Sequence, residues 1–210
     1  MKIKIVCVDL QNDFASPRGK HYALRPSVSF IADTLMPFLR EHSIKITEII
    51  SDYRQPRPGD LGDCCNPGTF GYGSQIPDDV KLKPVWIKCM NSPIWTRNNI
   101  GDPGREPGLP YQDPKAFTKW LSSLVGKPKD LDIVVLIGLT LDCCVLSTAQ
   151  ELRWRGYKVR VLSEATDTSS GSRKEKSRML KCPPFTNWAR SISWSYLRAV
   201  LRKTNSGPQA

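Results

Sequence analysis

Histidine is nearly absent from this chain of 210 residues, in which it occurs only as His21 and His42. A site that needs several histidines, as metal ligands or as the base beside a nucleophile, is therefore not favoured. Acidic residues are also few: 20 Asp and Glu stand against 31 Lys and Arg, so the net charge is +11. No apolar run reaches the roughly 18 residues of a membrane helix, and we expect no membrane partner.

The seven cysteines are an odd number, include two adjacent pairs and lack the C-x2-4-C spacing of zinc sites. This usage favours a reducing compartment, so we expect a cytoplasmic protein. An apolar strand begins almost at once at the N-terminus, which predicts no signal peptide. The length suits one α/β domain, which we expect over residues 1–203, followed by a disordered tail from Thr204 to Ala210.

Strand-like and helix-like segments alternate along the chain, which predicts an α/β fold with a mainly parallel sheet. Pro37 is expected to kink or split the first helix. Two long segments, 54–78 and 91–114, are rich in Gly, Pro or Asp and are expected to be loops that cover a site. Strands are predicted near 3–8, 45–50, 84–88, 132–138 and 158–163, and helices near 27–41, 114–124, 143–155, 172–181 and 193–202.

Three of the predicted strands end in chemically active side chains. Asp9 closes the first, Lys88 closes the third, and Cys144 lies where the fourth gives way to a helix that Asp142 can cap. The carboxyl edge of a parallel sheet is where ligands bind, and a helix N-terminus favours a thiolate. Taken singly, Cys144 could be a small buried apolar residue, and Asp9 and Lys88 could be solvated loop residues.

The chain resembles the isochorismatase-like cysteine hydrolases, a family that includes nicotinamidases and N-carbamoylsarcosine amidases. Their motifs occur in family order between about residue 3 and residue 167. The matching pieces are Val8-Asp9-Leu10-Gln11-Asn12-Asp13-Phe14, Asp52-Tyr53-Arg54, Gly68-Thr69 with Gly71, Lys88 with Ser92, and Gly138 to Val145. The resemblance implies a three-layer sandwich with helices on both faces of the sheet, and an oligomeric protein.

The resemblance also implies roles for particular residues. Asp9, Lys88 and Cys144 correspond to the family's catalytic triad, with Asp9 as general base and Cys144 as nucleophile. The Leu139–Thr140 bond corresponds to the family's cis bond, and the backbone N–H groups of Thr140 and Cys144 to its oxyanion hole. The implied reaction is hydrolysis of a C–N bond through a thioester.

The metal ligands of the metal-bearing nicotinamidases have no counterpart here. The family's three histidine positions are occupied by Arg54, Asp60 and Cys64, beside the shared Asp52. Because arginine cannot ligate a metal, we expect its guanidinium to replace the cation, paired with Asp52 or Asp60. The alternative is a zinc site from Cys64, Cys65 and an aspartate. We expect no cofactor, which weakens the case for nicotinamidase activity.

Four residues are candidates for substrate binding. Phe14 and Trp95 correspond to aromatic residues that line the family's pocket, although core packing is an equal alternative. Cys143 precedes the nucleophile and could contact the ligand. Arg54 could hold a carbonyl or carboxylate of the substrate.

The basic residues concentrate near the C-terminus: residues 172–203 hold nine Lys or Arg and one acid. No nucleic-acid motif accompanies this charge, so we expect a solvated surface and no specific nucleic-acid binding. The predicted function is a metal-independent cysteine hydrolase of a small amide or carbamoyl compound. The alternatives are a non-catalytic scaffold or binding protein with the same fold and, less expected, a basic nucleic-acid accessory protein.

Overall fold

A six-stranded parallel sheet organises the molecule in this computed structural model, which describes residues 1–59 and 62–205. The strand order is β3-β2-β1-β6-β7-β8, and β4 pairs with β5 in a separate antiparallel ribbon. Within the described residues the strands are β1 (Ile3–Val8), β2 (Thr47–Ser51), β3 (Trp86–Lys88), β4 (Trp95–Thr96), β5 (Tyr111–Gln112), β6 (Ile133–Leu139), β7 (Val159–Asp167) and β8 (Arg190–Ile192).

Helices cover both faces of this sheet, because alternate strand residues point to opposite sides. Val6 and Val8 of β1 face one hydrophobic core, whereas Ile5 and Cys7 face the other. The helices are α1 (Asn12–Ala15), α2 (Pro26–Phe30), α3 (Met36–Glu41), α4 (Pro114–Leu124), α5 (Leu146–Trp154), α6 (Arg173–Met179), α7 (Phe185–Trp188) and α8 (Trp194–Asn205). The first core packs on α4, α5 and α7, and the second on α2, α3 and α8. The predicted three-layer α/β fold is confirmed.

Two helical segments contain a wider, π-helical turn. Ile31–Leu35 joins α2 to α3, so the expected break near Pro37 is a widened turn within a continuous helical segment. Proline lacks the N–H that a regular turn would use, and a π turn accommodates this. Leu141–Val145 precedes α5, and Thr140 rather than Asp142 stands at its N-cap. The expected capping role of Asp142 is therefore wrong.

The carboxyl ends of β1 and β6 form the switch point of the sheet, since β2 and β3 lie on one side of β1 and β6 to β8 on the other. Gly138 makes the close approach possible. Its φ is 104°, and a Cβ there would lie 2.0 Å from the Val8 carbonyl oxygen. One residue further along the chain, the Leu139–Thr140 bond is cis, as the family resemblance implied. A crevice at such a switch point is where ligands bind in open α/β sheets.

The structure adds elements that the sequence did not predict. β8 is three residues long and mostly exposed, and β4 and β5 lie inside the expected loop 91–114. The last helix continues through Asn205, so the expected tail begins later than Thr204; residues 206–210 lie outside the described residues. No helix of the described residues is long and apolar enough to cross a membrane. All seven cysteines are free.

Candidate active site

Asp9, Lys88 and Cys144 meet at the switch point. Lys88 Nζ lies 2.8 Å from Asp9 Oδ2 and 3.4 Å from Cys144 Sγ. Asp9 directly follows β1, Lys88 is the last residue of β3, and Cys144 lies in the π turn after β6. All three side chains are buried. The predicted convergence of an acid, an amine and a thiol is confirmed.

The Lys88 ammonium is surrounded by acceptors. Besides Asp9 and Cys144, it donates to Ser51 Oγ at 2.8 Å, Tyr53 OH at 2.5 Å and the Met90 carbonyl at 3.1 Å. Burial alone would lower the pKa of Lys88, but its interactions with Asp9 and Cys144 outweigh it, and the pKa is raised. The amine therefore stays a cation inside the protein.

Cys144 is a thiol in this environment. Burial raises the pKa of Cys144 to about 12, although the charge of Lys88 acts in the opposite direction. The helix N-terminus that the sequence predicted to favour the thiolate does not bring this pKa below its usual value, because the loss of hydration is the largest effect. The sulfur lies 3.2 Å from Tyr53 OH and 3.7 Å from Asn91 Oδ1. Ionisation of this cysteine requires transfer of its proton to a neighbouring base.

The carboxylate of Asp9 is held on its other side by a serine. Ser51 Oγ donates to Asp9 Oδ1 at 2.9 Å and accepts from Lys88, so it bridges the two charges. The Gln11 amide fixes the backbone of Ser51, since Gln11 Oε1 accepts from Ser51 N at 2.7 Å and Gln11 Nε2 donates to the Ser51 carbonyl at 2.9 Å. β1 and β2 are neighbours in the sheet, which explains this linkage.

Ser51, Tyr53 and Asn91 are site residues that the sequence did not identify. Ser51 and Tyr53 flank Asp52 at the end of β2, so they share the sheet edge that carries Asp9 and Lys88. Tyr53 belonged to a recognised motif, but a phenol hydroxyl beside a lysine and a thiol depends on which strands are neighbours. Burial raises the pKa of Tyr53 well above its usual value, so its hydroxyl remains a proton donor.

A cavity of about 450 Å³ opens above the three residues. Phe14, Trp95 and Cys143 line it, as predicted from the sequence, and so does Thr140. Phe14 packs edge-on against Tyr53 with ring centroids 6.5 Å apart. The cavity therefore combines aromatic walls with a polar floor at Asp9 and Cys144, which is typical of a small-molecule site.

Arg54 lies beside this cavity but does not line it. Its guanidinium forms a bidentate ion pair with Asp52, in which Nε donates to Oδ1 at 2.9 Å and Nη2 donates to Oδ2 at 2.7 Å. The same group donates to the carbonyls of Asn99, Asp102 and Arg105. The predicted ion pair with Asp52 is confirmed, whereas Asp60 lies outside the described residues. The structure places Arg54 as an anchor of the loop 99–105 rather than as a contact to the substrate.

The residues near Asp52 do not fit a metal ion. Both carboxylate oxygens face the Arg54 guanidinium, and Oδ2 also accepts from Gly101 N at 2.9 Å. A cation at that carboxylate would have to displace the arginine.

A second group, Asp13, Cys64 and Cys65, has potential ligand atoms within 4.8 Å of one another. The Asp13 carboxylate already accepts from the backbone N–H groups of Lys20 and Cys65. Burial and the neighbouring Cys64 raise the pKa of Cys65, so both a proton and existing hydrogen bonds would have to be displaced before these residues could bind a metal.

Two walls of the cavity are joined by the side chain of Arg25. This buried guanidinium donates to the carbonyls of Phe14 and His21 on one side and of Thr168 and Ser169 on the other. His21 also stacks on the ring of Phe14, with centroids 6.0 Å apart. The segment after β1 and the segment after β7 are therefore tied together across the nucleophile.

Comparison with known proteins gives a consistent set of relatives. The family model described as the isochorismatase domain matches residues 115–182. The nicotinamidase of Saccharomyces cerevisiae is 25% identical over 195 residues, covering 77% of this chain and 86% of that protein.

Solved structures share the fold at low identity. An isochorismatase-like hydrolase from Alkaliphilus metalliredigens matches with a TM-score of 0.63 and 19% identity, covering 95% of this chain and 99% of its own. The N-carbamoylsarcosine amidase from Thermoplasma acidophilum matches with a TM-score of 0.57 and 18% identity over the full length of both chains. A pyrazinamidase from Pyrococcus horikoshii, solved in complex with zinc, matches with a TM-score of 0.63 and 15% identity, covering 92% of this chain and 100% of its own.

Proposed function

We propose that this chain, which matches the isochorismatase domain model over residues 115–182 and is 25% identical to a nicotinamidase, is a metal-independent cysteine hydrolase that cleaves a C–N bond of a small amide or carbamoyl compound. One observation carries the proposal: the buried Lys88 ammonium contacts both the Asp9 carboxylate, at 2.8 Å, and the Cys144 sulfur, at 3.4 Å. A base, a cation and a nucleophile at one sheet edge are the groups that acyl transfer through a cysteine requires.

The first step is proton transfer from the Cys144 thiol to the Asp9 carboxylate. Burial raises the pKa of Cys144 to about 12, so the thiol form is favoured in the empty site. The Lys88 cation compensates for the cost, because it stabilises the thiolate as the negative charge moves from Asp9 to Cys144. The Tyr53 hydroxyl, 3.2 Å from the sulfur, adds a hydrogen bond to the same charge.

The thiolate then attacks the carbonyl carbon, and the oxyanion accepts hydrogen bonds from the backbone N–H groups of Thr140 and Cys144. These groups lie at the start of the helical segment that begins at Leu141, where the first N–H groups have no partner in the helix. Removing one such donor typically costs about 100- to 1000-fold in rate.

Collapse of this intermediate breaks the C–N bond. Asp9 gives its proton to the leaving nitrogen, so that ammonia or an amine departs and a thioester to Cys144 remains. A water molecule, deprotonated by Asp9, then attacks the thioester carbonyl and releases the acid. Cys144 recovers its proton from Asp9, and the site returns to its starting state.

The shape of the cavity supports a small substrate. Its volume of about 450 Å³ is at the lower end of ligand sites, and Phe14 and Trp95 supply flat apolar walls. Cys143 lines the cavity beside the nucleophile. Arg54 acts from behind this surface, because its guanidinium is engaged by Asp52 and the loop 99–105. No step needs a metal, since Lys88 and the backbone N–H groups supply the positive charge.

The test is ammonia release from a panel of small primary amides and N-carbamoyl compounds. We expect turnover of at least one member, a covalent adduct on Cys144 detected by mass spectrometry, and loss of both in Cys144→Ser. The Cys182→Ser variant is the matched control, because Cys182 is exposed and far along the chain from the site. A panel that yields neither ammonia nor an adduct would instead favour the non-catalytic scaffold.

A further inference from the structure

A second cleft lies at the opposite edge of the sheet from the catalytic residues. Its volume is about 240 Å³, and it is formed where α5 ends, where β7 and β8 begin, and by α7. β7 contains nine residues, so this amino edge lies roughly 25 Å from the carboxyl edge at about 3.3 Å per residue. The cleft is therefore separate from the proposed reaction.

The lining of this cleft is strongly basic. It contains Arg153, Lys158, Arg160 and Arg190, and no Asp or Glu among the residues that the structure describes there. None of the four forms an ion pair with another described residue. The one side-chain hydrogen bond recorded for them runs from Arg160 Nη1 to the neighbouring Val159 carbonyl, at 3.1 Å. Four cationic residues thus line one cleft, with no acidic residue in its described lining.

The strand register forces two of these charges together. Arg160 of β7 and Arg190 of β8 are direct partners in the parallel pairing, so they stand side by side on one face. Like charges in such positions are destabilising unless something neutralises them. Cations on an edge strand can prevent aggregation, which would explain Arg190. That role does not explain Arg160, which lies on an inner strand, or the presence of Arg153 and Lys158 in the same lining.

Aromatic side chains adjoin the charges. Trp188 is part of the lining, and Trp154 packs edge-on against it with ring centroids 5.6 Å apart. Trp154 is 62% exposed, an unusual position for such a large apolar ring. A ligand that carries a ring beside its charged group would find a surface to pack on.

The geometry points to a binding site for a phosphate-bearing small molecule at this cleft, with the phosphate groups between Arg160, Arg190 and the other two cations. Arginine binds phosphate oxygens through two parallel hydrogen bonds, and several arginines match the multiple charge of a diphosphate. The cleft is smaller than the roughly 300 Å³ of the smallest drug-sized sites, which suits a phosphate or diphosphate group. A concave cleft of this size favours a small ligand over an extended nucleic-acid strand, which would need a long groove.

The experiment is calorimetric titration of the full-length protein with inorganic pyrophosphate, with sulfate at equal ionic strength as the comparison ion. We expect one saturable site that prefers pyrophosphate to sulfate and weakens as salt is raised. Replacing two of the exposed cations, Arg153→Gln with Arg190→Gln, should weaken binding about tenfold or more. The single variant Lys158→Gln, measured separately, guards against loss of folding in the double variant, and circular dichroism checks both.

The matched control is Lys115→Gln with Lys119→Gln, which removes the same charge from exposed positions on α4. This control should bind pyrophosphate like the parent. Equal weakening of pyrophosphate binding in both double variants, or equal affinity for sulfate and pyrophosphate, would indicate non-specific electrostatic binding and overturn the proposal. Tight binding of a single-stranded oligonucleotide that pyrophosphate fails to displace would overturn it in favour of a nucleic-acid surface.

Discussion

Asp9 and Asp52 are two buried carboxylates that directly follow neighbouring parallel strands, yet their surroundings differ. Asp52 meets the planar fork of Arg54, which engages both oxygens and joins them to the loop 99–105. Asp9 meets Lys88, a single ammonium that also contacts Cys144 and other acceptors. The difference lies in the partner. The Arg54 guanidinium binds both oxygens of Asp52 and keeps it an anion, whereas the Lys88 ammonium is shared with Cys144, which would allow Asp9 to exchange a proton.

The pKa of Asp52 agrees with this distinction. Burial alone would raise the pKa of Asp52, but the hydrogen bonds from Arg54 outweigh it and hold the pKa below its usual value. Arg54 has a raised pKa because of the same hydrogen bonds. At the catalytic edge the positive charge is shared, so the proton of Cys144 can move to Asp9 without leaving an unpaired charge. Similar positions in the sheet thus support a structural ion pair and a proposed general base.

The largest effect should come from removing the proposed base. Asp9→Asn should lower kcat/KM about 1000-fold or more, because the amide cannot accept the Cys144 proton. It should also lower the free energy of unfolding by about 3 kcal/mol, because Lys88 is left as a buried unpaired charge. Asp52→Asn is the matched comparison: it should lose stability but keep turnover within about tenfold in the folded protein. Equal loss of turnover in Asp9→Asn and Asp52→Asn would contradict a catalytic role that is specific to Asp9.

Removing the Arg54 guanidinium should lower the stability of the protein more than its catalytic activity. Arg54→Ala should lower the free energy of unfolding by about 3 kcal/mol, since Asp52 becomes an uncompensated buried charge, and should reduce activity by loosening the loop 99–105. Arg54→Lys should restore only part of this, because an ammonium cannot make both contacts. Urea unfolding and metal analysis provide the measurements. We expect no stoichiometric zinc or iron in the parent or in the Arg54 variants, and no effect of EDTA on the activity of the parent. Bound metal in the parent would contradict this account of Asp52.

A smaller effect is expected from the phenol that joins the two halves of the site. The Tyr53 hydrogen bond acts to lower the pKa of Cys144, so Tyr53→Phe should raise that pKa further. Turnover at neutral pH should fall roughly tenfold, in line with the loss of one hydrogen bond to a charged group. The alkylation rate of Cys144 by iodoacetamide, followed by peptide mapping from pH 6 to 10, should be lower than in the parent across the whole range, because this range lies below the pKa of Cys144. An unchanged profile would remove Tyr53 from the site.

The smallest effect concerns acid stability. The pKa of Asp52 is lowered in the folded protein, so its ion pair contributes fully above the unfolded value of about 3.9 and is lost as pH falls through the folded pKa. The difference in Tm between the parent and Arg54→Gln should therefore be constant from pH 7 to 5 and shrink below about pH 4. Thermal unfolding at pH 7, 5 and 3 checks this, and a gap that persists at pH 3 would argue against the linkage.

The sequence predicted the sites whose signals are local. Asp9, Lys88 and Cys144 each follow a short apolar strand, and parallel strands place their ends at one edge, so their convergence followed from pattern and resemblance. The role of Tyr53 was not predictable in this way, because it depends on β2 lying between β1 and β3. The protonation state of Cys144 depends on how completely the covering loops exclude water. β8 is too short and too polar to leave a periodic pattern.

The tether made by Arg25 bears on how the binding specificity of this cavity could change. Because one guanidinium binds both Phe14 and Ser169 carbonyls, the two flanking segments cannot be exchanged independently between relatives without losing buried hydrogen bonds. Within the part of the chain that the structure describes, no hydrogen bond joins the opposite wall, around Met90 and Trp95, to these two segments. Changes in substrate preference, in evolution or by engineering, should therefore accumulate on that wall while the tethered side stays constant.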